Sequence, residues 1–262
     1  MSKTQTTTST KKTHASGIHW NKLAAIMKLK TRALFSKNFI IMPIFAVGLT
    51  FVLKFLYGFI ANGNEEMLTF MYSMALGLGA TMNVSMTGMV CTSMALAEEK
   101  EKHTLRALMT SSVNGLEFFL GSIIPVLVMI VAVNAILVLI TAVSMSPAGW
   151  ALWLGISLLC SVASAVLGMI LGICAKNQVN SSTLSTIPLL VLAMIPSFSS
   201  FHPAIKKISD LLFTGILMNT SASLVEGTPA IDALGLCVIA VEIALAVIAF
   251  LLIYRRNGYD AD

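Results

Sequence analysis

One acid stands apart in this sequence. Glu242 sits at the centre of a long apolar run, VIAVEIALAV, where the other acids lie at or near the ends of such runs. Burying a charge at the middle of a spanning helix costs at least about 2.5–3.5 kcal/mol on insertion scales, so such a residue is a functional candidate. Three chemistries fit it: a proton or cation site, contact with a cationic substrate, or pairing within the protein. Lys54 is a partner only if the two lie at similar depth. Asn83 and Asn134 are amides inside other apolar runs, where they either line a pathway or hydrogen-bond between helices. Near Asn83, Met74, Met82, Met86 and Met89 alternate with Gly77, Gly79, Ser85 and Gly88, which makes a soft, adaptable wall.

A second kind of chemistry is suggested by Glu98-Glu99-Lys100-Glu101-Lys102-His103-Thr104-Leu105-Arg106-Ala107-Leu108-Met109-Thr110. Charges crowd this stretch, while Leu105, Leu108 and Met109 fall at i, i+3 and i+4 and form one apolar stripe. The pattern predicts a short helix lying on the surface. It is either a solvated connector or a knob that a soluble partner grips by its stripe and charged rim.

Other chemistries lack their residues. The sequence has no G-x-x-x-x-G-K-[ST] loop to cradle nucleotide phosphates. His14, His19, His103 and His202 are scattered without ligand spacing, and no serine in an apolar run has a histidine placed to activate it. Cys91, Cys160, Cys174 and Cys237 lie inside apolar runs without a Cys-x-x-Cys pair and read as buried thiols. No catalytic residue and no metal site are assigned. Asn219-Thr220-Ser221 fits a glycosylation acceptor, which matters only in a pathway that glycosylates.

These residues must be positioned by a membrane fold. The 262 residues are 56% hydrophobic and only 11% charged, with a mean hydropathy of +0.86, against about 25% charge in soluble domains. The apolar content falls into six runs near or above the roughly 20 residues that cross a bilayer. They cover about 39–61, 68–96, 116–145, 149–174, 179–198 and 230–254. Lysines and arginines mark one side: fourteen lie before the first run, between the second and third, between the fourth and fifth, or after the sixth, whereas only Lys206 and Lys207 fall opposite. The positive-inside rule then places both termini in the cytoplasm. Lys54, within the first run, can snorkel to the outer interface. The net charge of +5 speaks about orientation, and a nucleic-acid-binding module is excluded.

Between residues 18 and 37, Trp20, Leu23, Ala24, Met27 and Leu34 share a helical face while Lys22, Lys28 and Arg32 lie mainly elsewhere. This predicts an interfacial amphipathic helix, which either anchors the chain to headgroups or offers Trp20, Leu23 and Met27 to a partner. Glu117 opens the third run, where it suits the positive helix end and a basic residue of the amphipathic helix. In the fourth run Ser164, Gly168 and Gly172 recur every four residues, a face for close approach of another helix in the same chain or in a second one. Pro188 and Pro196 allow a bend in the fifth run. Residues 1–17 read as a polar tail with no cleavable leader, residues 38–254 as a single transmembrane domain, and residues 255–262 as a second tail.

The stretch from Ala97 to Ser122, AEEKEKHTLRALMTSSVNGLEFFLGS, resembles the corresponding segment of ABC-2 type permeases, the six-helix membrane subunits of ATP-binding-cassette exporters. Glu99, Lys100, Glu101, Thr104, Leu105, Leu108, Leu120 and Gly121 match that family's pattern. His103, Ser112 and Ser122 stand where it usually has Gly, Pro and Lys. The resemblance implies an all-α polytopic fold in which residues 98–110 couple to a separate ATPase. It also implies that the outer segment, residues 198–228, forms a re-entrant hairpin, although a proline common there is missing from LLFTGILMNTS. The function implied is export of an amphipathic or hydrophobic substrate, such as a drug, an antimicrobial peptide or a lipid-linked molecule, across the plasma (inner) membrane. The implied partners are two ATPase copies, which carry the ATP and magnesium, and a second, identical permease. The alternative is a self-contained ion-coupled transporter or channel working through Glu242, and a third reading is an anchor that only recruits a soluble partner.

Overall fold

The computed structural model describes residues 19–102, 115–226 and 232–257, and every regular element among them is helical. In chain order these are α1 (Trp20–Leu34), α2 (Lys37–Ala61), α3 (Glu65–Glu101), α4 (Gly115–Thr141), α5 (Pro147–Cys174), α6 (Gln178–Ser197), α7 (Pro203–Ser209), α8 (Phe213–Glu226) and α9 (Ala233–Asn257). Six of them, α2 to α6 and α9, are long and apolar enough to cross a membrane. They coincide with the six runs expected from the sequence. The largest difference is α3, which runs through the expected end of its span to Glu101, so that Glu98 to Glu101 form its last turn and do not begin a separate helix. The remainder of the expected surface helix, including His103, Thr104, Leu105, Arg106, Leu108 and Met109, lies outside the described residues.

The helix starts are chemically marked. Asn64, Ser146 and Asn177 each accept a backbone N–H from their helix's first turn, which satisfies donors that have no partner within the helix. Asn62 and Gly63 take positive φ values of 44° and 85° to turn the chain from α2 into α3. In α2, Pro43 removes the N–H that would bond the Phe39 carbonyl, and the Cys91 thiol approaches that oxygen at 3.8 Å instead.

At the centre of the bundle is α3, with 78% of its most apolar window buried, whereas the figure for α9 is 11%. Around α3, α2, α4, α5 and α8 close a core containing Leu76, Met89, Ile130, Leu137, Trp153 and Leu217. The small stripe of α5 packs within the chain. A Cβ on Gly168 would stand 2.5 Å from the Met89 carbonyl oxygen, and one on Gly172 would stand 2.8 Å from that of Ser93. Opposite this stripe, residues 84–90 of α3 widen into a π-helical turn, and the Ser164 hydroxyl donates to the Val84 carbonyl there at 2.7 Å. Helices α7 and α8 meet at a bend of 105°.

One expectation needs correcting. All four cysteines are free, but only Cys91 and Cys160 are buried; Cys174 and Cys237 are exposed. An apolar run in a membrane helix faces protein on one side only, so position in the run does not establish burial. On α1, Leu23, Ile26, Lys30 and Leu34 are buried against the rest of the chain, while Trp20 is 75% exposed.

Candidate functional site

The charged end of α3 is where the sequence candidates gather. Lys30 reaches from the buried side of α1 to Glu99 and makes an ion pair there, with side-chain exposures of 10% and 18%. Its ammonium also stands 5.0 Å from the centre of the Phe118 ring on α4. Lys100 donates to the carbonyls of Ile173 at 2.8 Å and Ala175 at 3.1 Å, satisfying groups at the C-terminal end of α5. Glu101 accepts the backbone N–H of Gln178, the first residue of α6, at 3.1 Å. One helical turn thus ties α1, α5 and α6 to the end of α3.

Glu98 and Lys102 are used differently. They pair with each other one turn apart, and the hydrogen bond to Glu98 raises the Lys102 ammonium above the ordinary lysine range. Lys102 is exposed, so the pair presents charge outward. The sequence expectation treated Glu98 to Lys102 as one outward rim; the packing separates them into an inward set that braces helices and an outward pair.

Helix α1 is fixed by the same end of the bundle. Glu117, fully buried at the start of α4, accepts the backbone N–H of His19 at 2.7 Å, and its carboxylate lies 3.2 Å from the His19 Nδ1. The acid expected to meet a basic residue of this helix therefore also receives a backbone donor at the helix start. Ile26 and Leu23 seat on Gly121, where a Cβ would come within 2.6 Å of Ile26. Leu23 is thereby committed to α4, whereas Trp20 remains outside the packing and Met27 is half-buried. No sequence signal selected Lys30, whose role depends on a partner 69 positions away. Its place on the apolar side of α1 was the available hint.

The intramembrane candidates fall into two separate places. Asn83 donates to the Asn134 side-chain oxygen at 2.8 Å and to the Ile130 carbonyl at 3.0 Å, and Thr87 donates to Asn83 at 3.0 Å. Trp153 adds a bond to the Asn134 carbonyl at 3.3 Å. Both asparagines are fully buried within the chain, and their bonds join α3 to α4. Met86 beside them is half-buried.

Glu242 lies elsewhere, on the side of α9 facing α5 and α8. The backbone N–H of Phe213, at the start of α8, bonds its carboxylate, and the Cys160 thiol donates to the Phe213 carbonyl at 3.3 Å. Its Oε2 is buried with no hydrogen-bond partner among the described residues. Lys54 instead lies 5.6 Å from the Tyr72 ring centre. Among the described residues there is no group of three or more His, Cys, Asp or Glu side chains that could hold a metal ion.

A family model described as ABC-2 family transporter protein matches residues 60–254, from the end of α2 through α9. The chain belongs to this family. None of the curated proteins matches it significantly. As an ABC-2 family member it is a multi-pass membrane component of a transporter and not the ATPase, and membership implies pairing with an ABC ATPase. The match includes the whole end of α3, the polar bridge at Asn83 and Asn134, and Glu242.

Proposed function

We propose that this ABC-2 protein is the permease subunit of an exporter that moves an amphipathic or hydrophobic substrate outward, driven by ATP hydrolysis on a separate chain. The observation that carries the reading is the family match over residues 60–254. Two copies of the permease enclose the pathway, two ATPases dock on the basic end, and ATP and magnesium bind to the ATPases. Both termini then face the cytoplasm of a plasma-membrane protein, and α1 lies along that interface. Helices α7 and α8 form a re-entrant hairpin closing the outer side, a reading supported by their bend of 105° and their short lengths.

Residues 98–110 act as the coupling element in this proposal. Its support is mechanical: a push at the end of α3 is delivered to α1 through Lys30 and Glu99, to α5 through Lys100, and to α6 through Glu101. The test is gentle affinity purification from the native membrane, followed by intact-complex mass and ATP hydrolysis. Two permeases with two nucleotide-binding chains and vanadate-sensitive turnover are expected, and a complex without an ATPase overturns the reading.

A second reading keeps one specific observation, the unpartnered buried oxygen of Glu242. In it the chain is an ion-coupled transporter or channel that works alone. Purified protein in liposomes would then show flux without ATP, and Glu242→Gln would abolish it. The exporter reading expects no such flux and a modest packing effect from the same substitution.

A further inference from the structure

The prolines of α2 and α4 flank a groove that the polar bridge and the charged end of α3 do not use. Pro43, Ile44 and Val47 of α2 and Pro125, Val128 and Ala132 of α4 form its walls, with Met27 and Thr31 of α1 and the adjoining Phe35 across one end. Its volume is about 520 Å³, and its lining is almost wholly apolar. From Ile40 to Val47 it runs about 10 Å along α2, at 1.5 Å per residue, away from the basic end. A slot of this shape suits an extended hydrocarbon chain entering from the headgroup level.

Its mouth is cationic. Residues 19–37 contain five lysines and arginines and no acid. Lys30 is consumed by Glu99, and Lys22 has an interaction within the chain. Lys28, Arg32 and Lys37 are exposed and make no ion pair among the described residues. Each stands one helical turn from a lining residue: Lys28 from Thr31, Arg32 from Phe35, and Lys37 from Ile40. Three cations thus border one end of an apolar slot. A zwitterionic lipid brings its own cation beside its phosphate, whereas an anionic lipid offers these three cations an uncompensated negative charge.

We propose that this groove binds one anionic phospholipid, with an acyl chain between Pro43 and Pro125 and its phosphate on Lys28, Arg32 and Lys37. The lipid fills the gap between α1 and the first and third spans, and so ties the amphipathic helix to the bundle beside the contact that Lys30 makes. The inference requires that the chain span a bilayer and is independent of what powers transport.

The test is native mass spectrometry of the purified full chain, titrated with phosphatidylglycerol or phosphatidylcholine bearing identical acyl chains. At roughly fivefold per nearby cation, phosphatidylglycerol is expected to bind at least about tenfold more tightly. Replacing Lys28, Arg32 and Lys37 together by Gln should reduce its binding to the phosphatidylcholine level and change phosphatidylcholine binding much less. Val128→Trp, at a position 64% exposed, should fill the slot and weaken both lipids, with Ala132→Phe as a second filling variant should the first fail to fold. Equal binding of the two lipids to the unmodified chain overturns the proposal. So does phosphatidylglycerol binding that survives either kind of variant, or its displacement by soluble glycerol phosphate, which would show that the cations take phosphate without seating an acyl chain.

Discussion

Lys30 faces the protein from an otherwise apolar stripe of α1, and the cost of placing an ammonium there is offset by Glu99 and the Phe118 ring. Removing one member of such a pair leaves the other with its desolvation cost and without the opposite charge that offsets most of it. Lys30→Met or Glu99→Gln alone is therefore expected to lower unfolding stability by about 2–4 kcal/mol, somewhat below the roughly 3–5 kcal/mol of fully buried pairs because both side chains keep some contact with solvent. The double variant should recover a substantial part, because neither charge is then stranded. Thermal or denaturant unfolding in detergent, arranged as a double-mutant cycle, reads this directly; additive losses would show that the two side chains do not stabilise one another. Asn83 follows the same logic for a neutral group, since both ends of its amide are held by bonds that the bilayer interior cannot replace.

At the scale of the elements, the stripe Ser164, Gly168 and Gly172 distinguishes intrachain packing from packing between copies. Gly168 lies against the backbone of α3, so an added methyl must move a helix and not merely a flexible side chain. Gly168→Ala is expected to cost about 1–3 kcal/mol, as overpacked cores do. Gly155→Ala, on the same helix with no atom within 4 Å of the added Cβ, should be neutral or stabilising. Melting curves of the two variants make the comparison; equal tolerance at both sites would mean that α5 and α3 do not meet as closely as described. The widened turn at 84–90 belongs to this contact, for it leaves the Val84 carbonyl to Ser164 where α5 comes nearest.

For the whole molecule, the division of the charged turn sets an expectation about docking. Glu99 and Glu101 brace helices, whereas Glu98 and Lys102 pair with one another on the outside. Under the exporter reading, reversing the outward pair with Glu98→Lys and Lys102→Glu should reduce ATPase co-purification while leaving the melting temperature of the permease unchanged. Reversing Glu99 or Glu101 should lower both. Quantitative pull-down beside a thermal melt separates the two, and unchanged association in the outward pair would remove these residues from the docking surface.

The sequence by itself determined the number and placement of the spanning helices, because crossing hydrocarbon demands about 20 apolar residues whatever surrounds them. It also marked the charged turn after the second span, the intramembrane acid and the small-residue stripe, since each is a local departure from an apolar background. Partnership was not legible there. That Lys30 meets Glu99, that Asn83 meets Asn134, and that Gly168 meets α3 and not a second copy depends on contacts between segments distant in the chain. Cys174 and Cys237 show the same limit, because a uniform apolar run carries too little periodicity to say which side faces protein. Lipid satisfies an apolar side chain as well as a neighbouring helix does, so only tertiary packing decided which faces were buried.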